Sequence, residues 1–392
     1  MISGTSFDGI DVAIGDFQRH DDVVTLRTVG HAEYPYPEEL SEAIASMLPP
    51  ASTTIGEVCR VDTLIGQAFA EAAARGVAEL GDGECPDLIS SHGQTVFHWV
   101  DGGRAYGTLQ LGQPAWIAER TGAPVLSDLR SRDIAKGGQG APLVPIFDHL
   151  LLPPADRAKA ALNIGGIANM TVIPGRDTDG EVFAYDLGPG NALIDLVARQ
   201  YFDRSRDDGG NYASNGTVDA ALLESLSTDP YFDAPAPKST GKELFHAGYL
   251  ADRLRTRPEL SPYDVIATVT ELTARVVAAE CRKHQISEVI ASGGGVRNHV
   301  LMRRIRALTA PDTVVSTIDD VGIPSDAKEA YAFAVMGYLT VHGMPVTMTG
   351  CTGAREGARV GSLTPGATPL RFPDPWQTEP TVLRVETRGT RA

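Results

Sequence analysis

The chain has 392 residues, of which 42% are hydrophobic, and its formal net charge at pH 7 is −16. This length exceeds what one hydrophobic core usually holds, so we expect two domains. The acidic balance, with no long Lys/Arg run, excludes a surface that tracks phosphates, and nucleic acid is not an expected partner.

The cysteines and the apolar segments indicate the compartment. Four scattered cysteines form no Cys-x2-Cys pair, so neither a zinc knuckle nor a disulfide framework is predicted, and a reducing cytosol fits best. The sequence shows no secretory signal pattern and no apolar stretch of about 18 residues. We therefore expect a cytoplasmic protein without a membrane partner.

The first predicted element is a glycine-rich turn, Ser3–Gly9, followed by the strand-like run Ile10–Ile14. Glycine lets backbone N–H groups approach phosphate oxygens where no Cβ intervenes, and Thr5 and Ser6 add hydroxyl donors. The turn lacks the Gly-x4-Gly-Lys-Ser/Thr pattern of a P-loop. Taken alone, it is equally well explained as an ordinary tight hairpin.

Apolar residues then recur at three- and four-residue steps over residues 37–80, which predicts helices. Such stripes are more typical of a hydrophobic core than of a functional site. The positions are Leu40, Ile44, Met47, Val61, Leu64, Ile65, Phe69 and Ala73.

A short apolar strand within Pro86–Thr95 ends in a polar tip that contains His92, Gln94 and Thr95. Strand tips of this kind carry ligand contacts in α/β sheets. A lone histidine there is more often a satisfied core residue. The neighbouring Gln94 and Thr95 favour a sugar-binding tip.

A helix through about Thr121 and a strand over residues 124–127 lead to a charged run, Asp128–Asp133, with two Arg and two Asp in six residues. An Arg held by an Asp can offer its planar fork to a carboxylate or a phosphate. The alternative is a solvated charge cluster. The adjoining Gly137–Gly140 favours a substrate-facing rim, because a solvated helix face needs no flexible backbone.

A second lobe is predicted to begin near Ala141. It contains a second glycine-rich turn, Asn163–Asn169, between the strand-like residues 161–162 and 170–173. This turn lies about 160 residues after the first. Two strand–turn–strand elements with the same chemistry predict a kinase with two lobes, each carrying a phosphate hairpin.

Asp186 is predicted to close an apolar strand and to open a Gly-Pro-Gly turn before a helix over residues 192–202. A carboxylate at such a junction can accept a proton or hold a metal-bound water. For an isolated Asp-x-Gly, a plain helix N-cap is the more ordinary interpretation. Within this constellation we interpret Asp186 as the general base.

The rest of the second lobe contains one further candidate nucleotide contact. Residues 203–245 are polar and predict surface, with a mobile flap, before a helix over about 264–283. The strand Glu288–Ser292 then leads to Gly293, Gly294 and Gly295 and a helix over residues 300–308. A glycine triplet between a strand and a helix predicts a nucleotide cradle.

The last predicted element is a strongly apolar helix that follows Gly322–Glu329 and runs through Leu339. Glu329 lies near its first turn. It is explained either as a partner for the helix dipole or as a carboxylate that points into the cleft.

Seven motifs in this order resemble the anhydro-N-acetylmuramic acid kinase family, from Ser3 to about Leu363. They are Ser-Gly-Thr-Ser-x-Asp-Gly-Ile-Asp, Ser-His-Gly-Gln-Thr, Gly-Gly-Gln-Gly-Ala-Pro-Leu-Val-Pro, Asn-Ile-Gly-Gly-Ile-Ala-Asn, Gly-Pro-Gly-Asn, Pro-Lys-Ser-Thr-Gly and Ser-Gly-Gly-Gly. The family usually has several residues before the first turn that form an incoming strand, whereas here only Met1 and Ile2 precede it. Leu187 replaces a small residue and is expected to pack behind Asp186.

The resemblance implies an α/β fold of the actin, sugar-kinase and heat-shock ATPase superfamily, which is ribonuclease H-like. Two lobes with duplicated mixed β-sheet cores would flank an interlobe cleft. We expect the first lobe over residues 1–140, with the segment from about 345 to 392 packing on it. The second lobe is expected over residues 141–344.

The resemblance also implies the reaction and its cofactors, ATP and Mg²⁺. Water would open 1,6-anhydro-N-acetylmuramic acid while O6 is phosphorylated, giving N-acetylmuramic acid 6-phosphate and ADP in cell-wall recycling. The expected catalytic residues are Asp186, Glu329 and Arg130. The expected nucleotide contacts are Gly4, Thr5, Ser6, Phe7, Asp8, Gly9, Ile10, Asp11, Gly165, Gly166, Asn169, Gly293, Gly294 and Gly295. The expected sugar contacts are His92, Gln94, Thr95, Arg130, Asp133, Gly190 and Asn191.

Two other functions stay open at this point. A levoglucosan kinase would use the same base and hairpins on a sugar with neither an acetamido nor a lactyl group. A non-catalytic sugar sensor would have no need of the base Asp186. The metal ligands are not predicted, and a homodimer is a family expectation only.

Overall fold

The structure is a computed structural model that describes residues 1–4, 7, 9–178, 180–241 and 243–387. In chain order its strands are β1 Gly9–His20, β2 Val23–Pro35, β3 Ile89–Ser90, β4 Gln94–Asp101, β5 Arg104–Leu111, β6 Val125–Ser127, β7 Lys159–Ile164, β8 Ile167–Ile173, β9 Phe183–Pro189, β10 Glu288–Ser292, β11 Val314–Thr317, β12 Ser362–Thr364 and β13 Val382–Thr387. Its helices are α1 Glu38–Met47, α2 Ile55–Leu80, α3 Pro114–Thr121, α4 Ser131–Ala135, α5 Pro145–Leu151, α6 Ala192–Phe202, α7 Ala220–Ser227, α8 Pro230–Asp233, α9 Ala247–Leu254, α10 Pro262–Lys283, α11 His299–Thr309, α12 Lys328–Val341 and α13 Thr349–Thr352. The predicted α/β class is confirmed.

The chain divides into two compact units. Unit 1 contains Met1–Leu151 and the residues from Ala327 onward, and unit 2 contains Leu152–Asp326. These boundaries differ from the predicted ones at 140/141 and 344/345. The reason is that α5 and α12 pack together in unit 1, where a buried ion pair joins Lys328 Nζ to Asp148 Oδ1 at 2.7 Å.

Unit 1 contains three small sheets. The strands pair in the orders β1-β2-β13, β12-β6-β3 and β4-β5. In β2 the buried residues alternate, with Val24 and Leu26 fully buried and Thr28 nearly so, as expected for a strand with one face on a core. The apolar stripe predicted over residues 37–80 is confirmed in α1 and α2, although Leu64 is only partly buried.

Unit 2 is built around one five-stranded sheet with the order β11-β10-β7-β8-β9. The strands β11, β10 and β7 are parallel, and β8 and β9 continue the sheet in antiparallel pairs. The second predicted strand–turn–strand is confirmed as the hairpin of β7 and β8. Leu187, as expected, is buried in the core behind β9.

The prediction of a polar surface over residues 203–245 holds for most of that segment, whose described residues are mostly exposed or partly exposed. It is wrong at α7, where Leu222 and Leu226 are buried in a second core of unit 2, and at Phe245, which is buried in the same core. In α7 the spacing of Leu222 and Leu226 forms one apolar face, and a helix needs no more than that to pack on a core.

Among the residues that the structure describes, no helix is both long and apolar enough to cross a bilayer.

We expect Lys328→Met to lower the free energy of unfolding of unit 1 by about 3 kcal/mol, because it leaves the buried Asp148 carboxylate without its cation. Lys136→Met is the matched control. Its ion pair with Glu356 is largely exposed on the Glu356 side, and such pairs contribute about 0–1 kcal/mol. Urea unfolding measures both variants, and equal losses would contradict the assignment.

Candidate active site

In unit 1, hydrogen bonds of the Gln94 side chain hold the predicted phosphate turn. The turn is described at Gly4, Phe7 and Gly9, while Thr5, Ser6 and Asp8 lie outside the described residues. Gln94 is buried, accepts a bond from Ser3 Oγ at 2.7 Å and donates to Gly4 O at 3.0 Å. Both ends of its amide are therefore committed to the turn.

Before this turn the structure has a single bridge in place of the predicted strand. Upstream of the turn, Ile2 and Asp11 form an isolated antiparallel bridge, with backbone bonds of 3.1 and 2.8 Å. Downstream, β1 begins at Gly9 and runs well past the predicted Ile14. Ile10 is buried in the core of unit 1, so its side chain is not available to a nucleotide.

The predicted sugar tip of unit 1 brings His92 against Arg130. His92 is buried, and its Nε2 accepts a bond from Arg130 Nε at 2.8 Å, while Arg130 Nη1 donates to Gly140 O at 2.8 Å. Burial, together with the Arg130 charge, lowers the pKa of His92 to about 3. His92 is thus neutral, and its Nε2, as the acceptor, fixes the position of the Arg130 guanidinium.

Arg130 keeps its charge in this setting. Burial lowers its pKa to about 10, and the carboxylate of Glu329 acts in the opposite direction. Glu329 lies exposed in the first turn of α12, as predicted. Arg130 donates from Nε and Nη1, and among the described residues no acceptor bonds its Nη2.

Asp133 is fully buried beneath this site. Its Oδ2 accepts from Gly140 N at 2.8 Å, and its Oδ1 accepts from Thr352 Oγ1 at 2.8 Å. One carboxylate oxygen therefore bonds to Gly140, whose carbonyl also holds Arg130, and the other bonds to α13. Thr95, by contrast, is partly exposed, and its Oγ1 accepts a bond from Gln110 Nε2 at 3.1 Å.

In unit 2, strand register gathers a row of polar residues. Ser292 pairs with Asn163, Asn163 with Asn169, and Asn169 with Asp186, across β10, β7, β8 and β9. Directly opposed residues share one face of a sheet. Asn163 was not among the predicted site residues, and its place in the row follows only from the register.

Asp186 lies inside β9, and the prediction that it closes the strand is wrong. The strand continues to Pro189 with a bulge at Leu187, where Ala168 faces Gly188 and Asn169 faces Asp186. Burial raises the pKa of Asp186, against hydrogen bonds from Thr240 and Ser239 that lower it, and Glu243 raises it further. β-bulges are over-represented at sheet edges and beside active sites.

The segment that contacts Asp186 was not predicted as part of the site. Asp186 Oδ2 accepts from Ser239 Oγ and from Thr240 N, each at 3.0 Å. The available signal was the Pro-Lys-Ser-Thr-Gly motif, which contributed to the resemblance without a role of its own.

The second glycine turn packs on the start of α6. Gly190 N donates to Gly166 O at 2.9 Å, and Asn191 Nδ2 donates to Gly165 O at 3.1 Å. A Cβ on Gly190 would lie within 3.1 Å of Ala168 N. Gly190 and Asn191 thus hold the turn in place.

The glycine triplet after β10 packs against the same hairpin. A Cβ on Gly295 would lie 2.6 Å from Ile164 Cβ, and one on Gly293 would lie 2.9 Å from Ile164 O. A Cβ on Gly294 would meet no atom within 4 Å. Close backbone packing explains two of the three glycines, and Gly294 faces open space.

Comparison with known proteins identifies a matching family model and similar sequences. A family model described as anhydro-N-acetylmuramic acid kinase matches residues 1–366. Proteins of that name from Streptomyces coelicolor and Rhodococcus erythropolis are each 50% identical to this chain, over 98% of it and 98% of their own length. One from Salinibacter ruber is 40% identical over 93% of this chain and 94% of its own.

A solved structure of the activator of 2-hydroxyisocaproyl-CoA dehydratase from Clostridium difficile, with bound ADPNP, gives a TM-score of 0.40 at 9% identity. The alignment covers 84% of this chain and 94% of that chain.

We expect Asp133→Asn to lower the stability of unit 1 by about 2 kcal/mol, since Asn offers one acceptor oxygen in place of the two charged oxygens that Gly140 N and Thr352 Oγ1 now use in a buried site. Asp128→Asn is the control, because Asp128 is exposed at a positive φ of 53° that Asn tolerates. Denaturant titration followed by circular dichroism compares the two. A harmless Asp133→Asn would refute the bracing role.

His92 makes stability depend on pH in a stated direction. Its folded pKa of about 3 lies below the ordinary value, so the unfolded chain takes up a proton first as the pH falls below about 6.5. Stability should fall with falling pH by up to about 1.4 kcal/mol per unit over this window.

His92→Gln should make that slope shallower, because Gln can accept a bond from Arg130 but cannot be protonated in this range. Unfolding free energies measured at pH 7, 6 and 5 test the difference. Parallel slopes for the two proteins would show that His92 is not the titrating group.

Proposed function

Because the chain belongs to the anhydro-N-acetylmuramic acid kinase family, we propose that it opens 1,6-anhydro-N-acetylmuramic acid with water and phosphorylates O6 from ATP. The products are N-acetylmuramic acid 6-phosphate and ADP, and the role is cell-wall recycling. The observation that carries the proposal is the Asp186 carboxylate, partly buried in a row of polar residues with one oxygen held and the other not engaged by any described residue.

The reaction needs a base for water. As the water oxygen bonds to C1, the C1–O6 bond breaks, O6 takes the γ-phosphoryl group, and the proton of water passes to Asp186. A base works best when its pKa lies close to the operating pH. Burial raises the pKa of Asp186 toward that range, which supports this role.

The two glycine-rich turns are proposed to bind the phosphates of ATP. The proposed residues are Gly4, Thr5, Ser6, Phe7, Asp8, Gly9, Ile10 and Asp11 in the first turn and Gly165, Gly166 and Asn169 in the second. Glycine lets backbone N–H groups approach an anion, although the N–H groups of Phe7 and Asp11 already donate to Gly4 O and Ile2 O. Gly293, Gly294 and Gly295 are proposed for the adenosine side, where Gly294 has the open space that a nucleotide would need.

Mg²⁺ is proposed as the cation that screens the charge on the phosphates. Within the part of the chain that the structure describes, no group of three or more His, Cys, Asp or Glu residues could hold a metal ion. Mg²⁺ is usually held by one or two carboxylates together with substrate phosphates. We assign no residue to the ion.

For the sugar, we propose Arg130 as the group that binds an anion or a polar oxygen, with Glu329 beside it. His92 orients Arg130, and Thr95 is partly exposed, with a hydroxyl that also bonds to Gln110. Gln94, Asp133, Gly190 and Asn191 act by holding the loops that carry these groups, since their polar atoms bond to those loops. A homodimer stays an expectation from the family.

The test is an assay of the purified protein with ATP, Mg²⁺ and the anhydromuramic sugar in ¹⁸O-labelled water, with mass spectrometry of the product. We expect a 6-phosphate that carries one labelled oxygen. Asp186→Asn should lower kcat by about 10²–10⁴-fold, as for loss of a general base. Asp203→Asn, an exposed αL position at the end of α6, is the matched control.

Levoglucosan in parallel tests the alternative substrate. Turnover of levoglucosan alone would overturn the proposal in favour of the simpler sugar. Binding of both sugars without any product would indicate a sensor.

A further inference from the structure

The edge of the unit 2 sheet is covered at Asp186 by residues outside the sheet. β9 is an edge strand, and its outer side would leave backbone groups unpaired. At Asp186 the backbone N–H donates to Lys238 O at 3.0 Å, and the backbone carbonyl accepts from Tyr231 Oη at 2.7 Å. The segment after α8 therefore lies against the edge at the position of the proposed base.

The same segment bonds to one carboxylate oxygen of Asp186, Oδ2. Ser239 Oγ and Thr240 N both donate to Oδ2, each at 3.0 Å. Among the described residues, none donates to Oδ1. Two bonds to one oxygen fix the rotation of the carboxylate and leave its other oxygen as the proton acceptor.

Lys238 anchors the segment to α8. Its Nζ donates to the carbonyls of Tyr231 and Phe232 at 2.9 and 3.0 Å and lies 4.7 Å from the centre of the Tyr231 ring. The Phe232 ring covers Gly188, where an added Cβ would lie 2.8 Å from the ring. Two residues of α8 therefore contact β9: Tyr231 at Asp186 and Phe232 at Gly188.

We propose that Lys238–Thr240 is a clamp that positions the Asp186 carboxylate, with Ser239 as its side-chain donor. The inference deepens the proposed function and rests on it for the catalytic consequence. Ser239 acts through Asp186, so it is a positioning residue.

The charged and titratable groups around Asp186 set the direction of the effect. Burial raises its pKa, the bonds from Thr240 and Ser239 lower it, and Glu243 raises it. Tyr231 and Lys238 meet its backbone, and Asn169 is its cross-strand neighbour. Loss of one donor to the ionised form must raise the pKa of Asp186 further.

The test that does not depend on activity is a direct titration of the base. In protein labelled with ¹³C at the Asp carboxyl carbons, the Asp186 signal is assigned by its absence in Asp186→Asn. Ser239→Ala should raise the pKa of Asp186 by roughly one unit, as expected for one charge-assisted bond. Ser239→Thr, which keeps the hydroxyl, should restore the wild-type value.

Ser214→Ala is the matched control, since the exposed Ser214 hydroxyl donates to Asn211 O within unit 2. It should leave the titration unchanged. An unchanged pKa in Ser239→Ala overturns the clamp. A raised pKa in a protein that does not phosphorylate the anhydro sugar supports the clamp and refutes the proposed function instead.

The kinetic test separates positioning from substrate contact. Ser239→Ala should lower kcat about tenfold with little change in KM, and should move the acidic limb of the pH–rate profile to higher pH. Tyr231→Phe should lower kcat in the same way. Tyr249→Phe is its control, because that hydroxyl bonds to Leu226 O at 2.7 Å away from Asp186. A rise in KM without a shift of the pH profile would mean that Ser239 contacts substrate, and would overturn the inference.

Discussion

The register of β7, β8 and β9 is the constraint on which the candidate site of unit 2 depends. Asn163, Asn169 and Asp186 face the same way only because each stands directly opposite the next. A slip of one residue would turn the side chains of a whole strand to the other face. The bulge at Leu187 absorbs one extra residue and lets β9 keep Asp186 in the row while Leu187 stays in the core.

The turn of the β7–β8 hairpin shows how the glycines serve this register. The start of α6 and the Gly293–Gly295 segment both approach it closely enough that a side chain would collide with the backbone. The glycines therefore allow the sheet, a helix terminus and a loop to meet at one place. A ligand that uses the backbone N–H groups of the turn would benefit from the same close packing.

In unit 1, buried polar side chains hold the turns and loops of the candidate site in place. Gln94 and Asp133 are both buried, and both polar atoms of each side chain are bonded. Gln94 bonds to the first turn, whereas Asp133 joins Gly140 to α13. Buried polar groups are costly unless they are fully paired, and fully paired they fix one conformation. Gln94 and Asp133, predicted as sugar contacts from the sequence, bond to the first turn and to the loop that holds Arg130. A direct contact with the sugar stays a prediction.

The sequence by itself determined the elements that depend on local pattern: the helices of residues 37–80, the hairpin at Asn163–Asn169, and the strand before the glycine triplet. It also placed the chain in its family through motifs in order. It did not determine which polar groups meet. Ser239 and Asp186 are 53 residues apart, and Thr352 and Asp133 are 219 apart. Such contacts depend on how sheets and helices pack, because periodicity and turn chemistry describe only neighbours along the chain, and only the tertiary structure decided them.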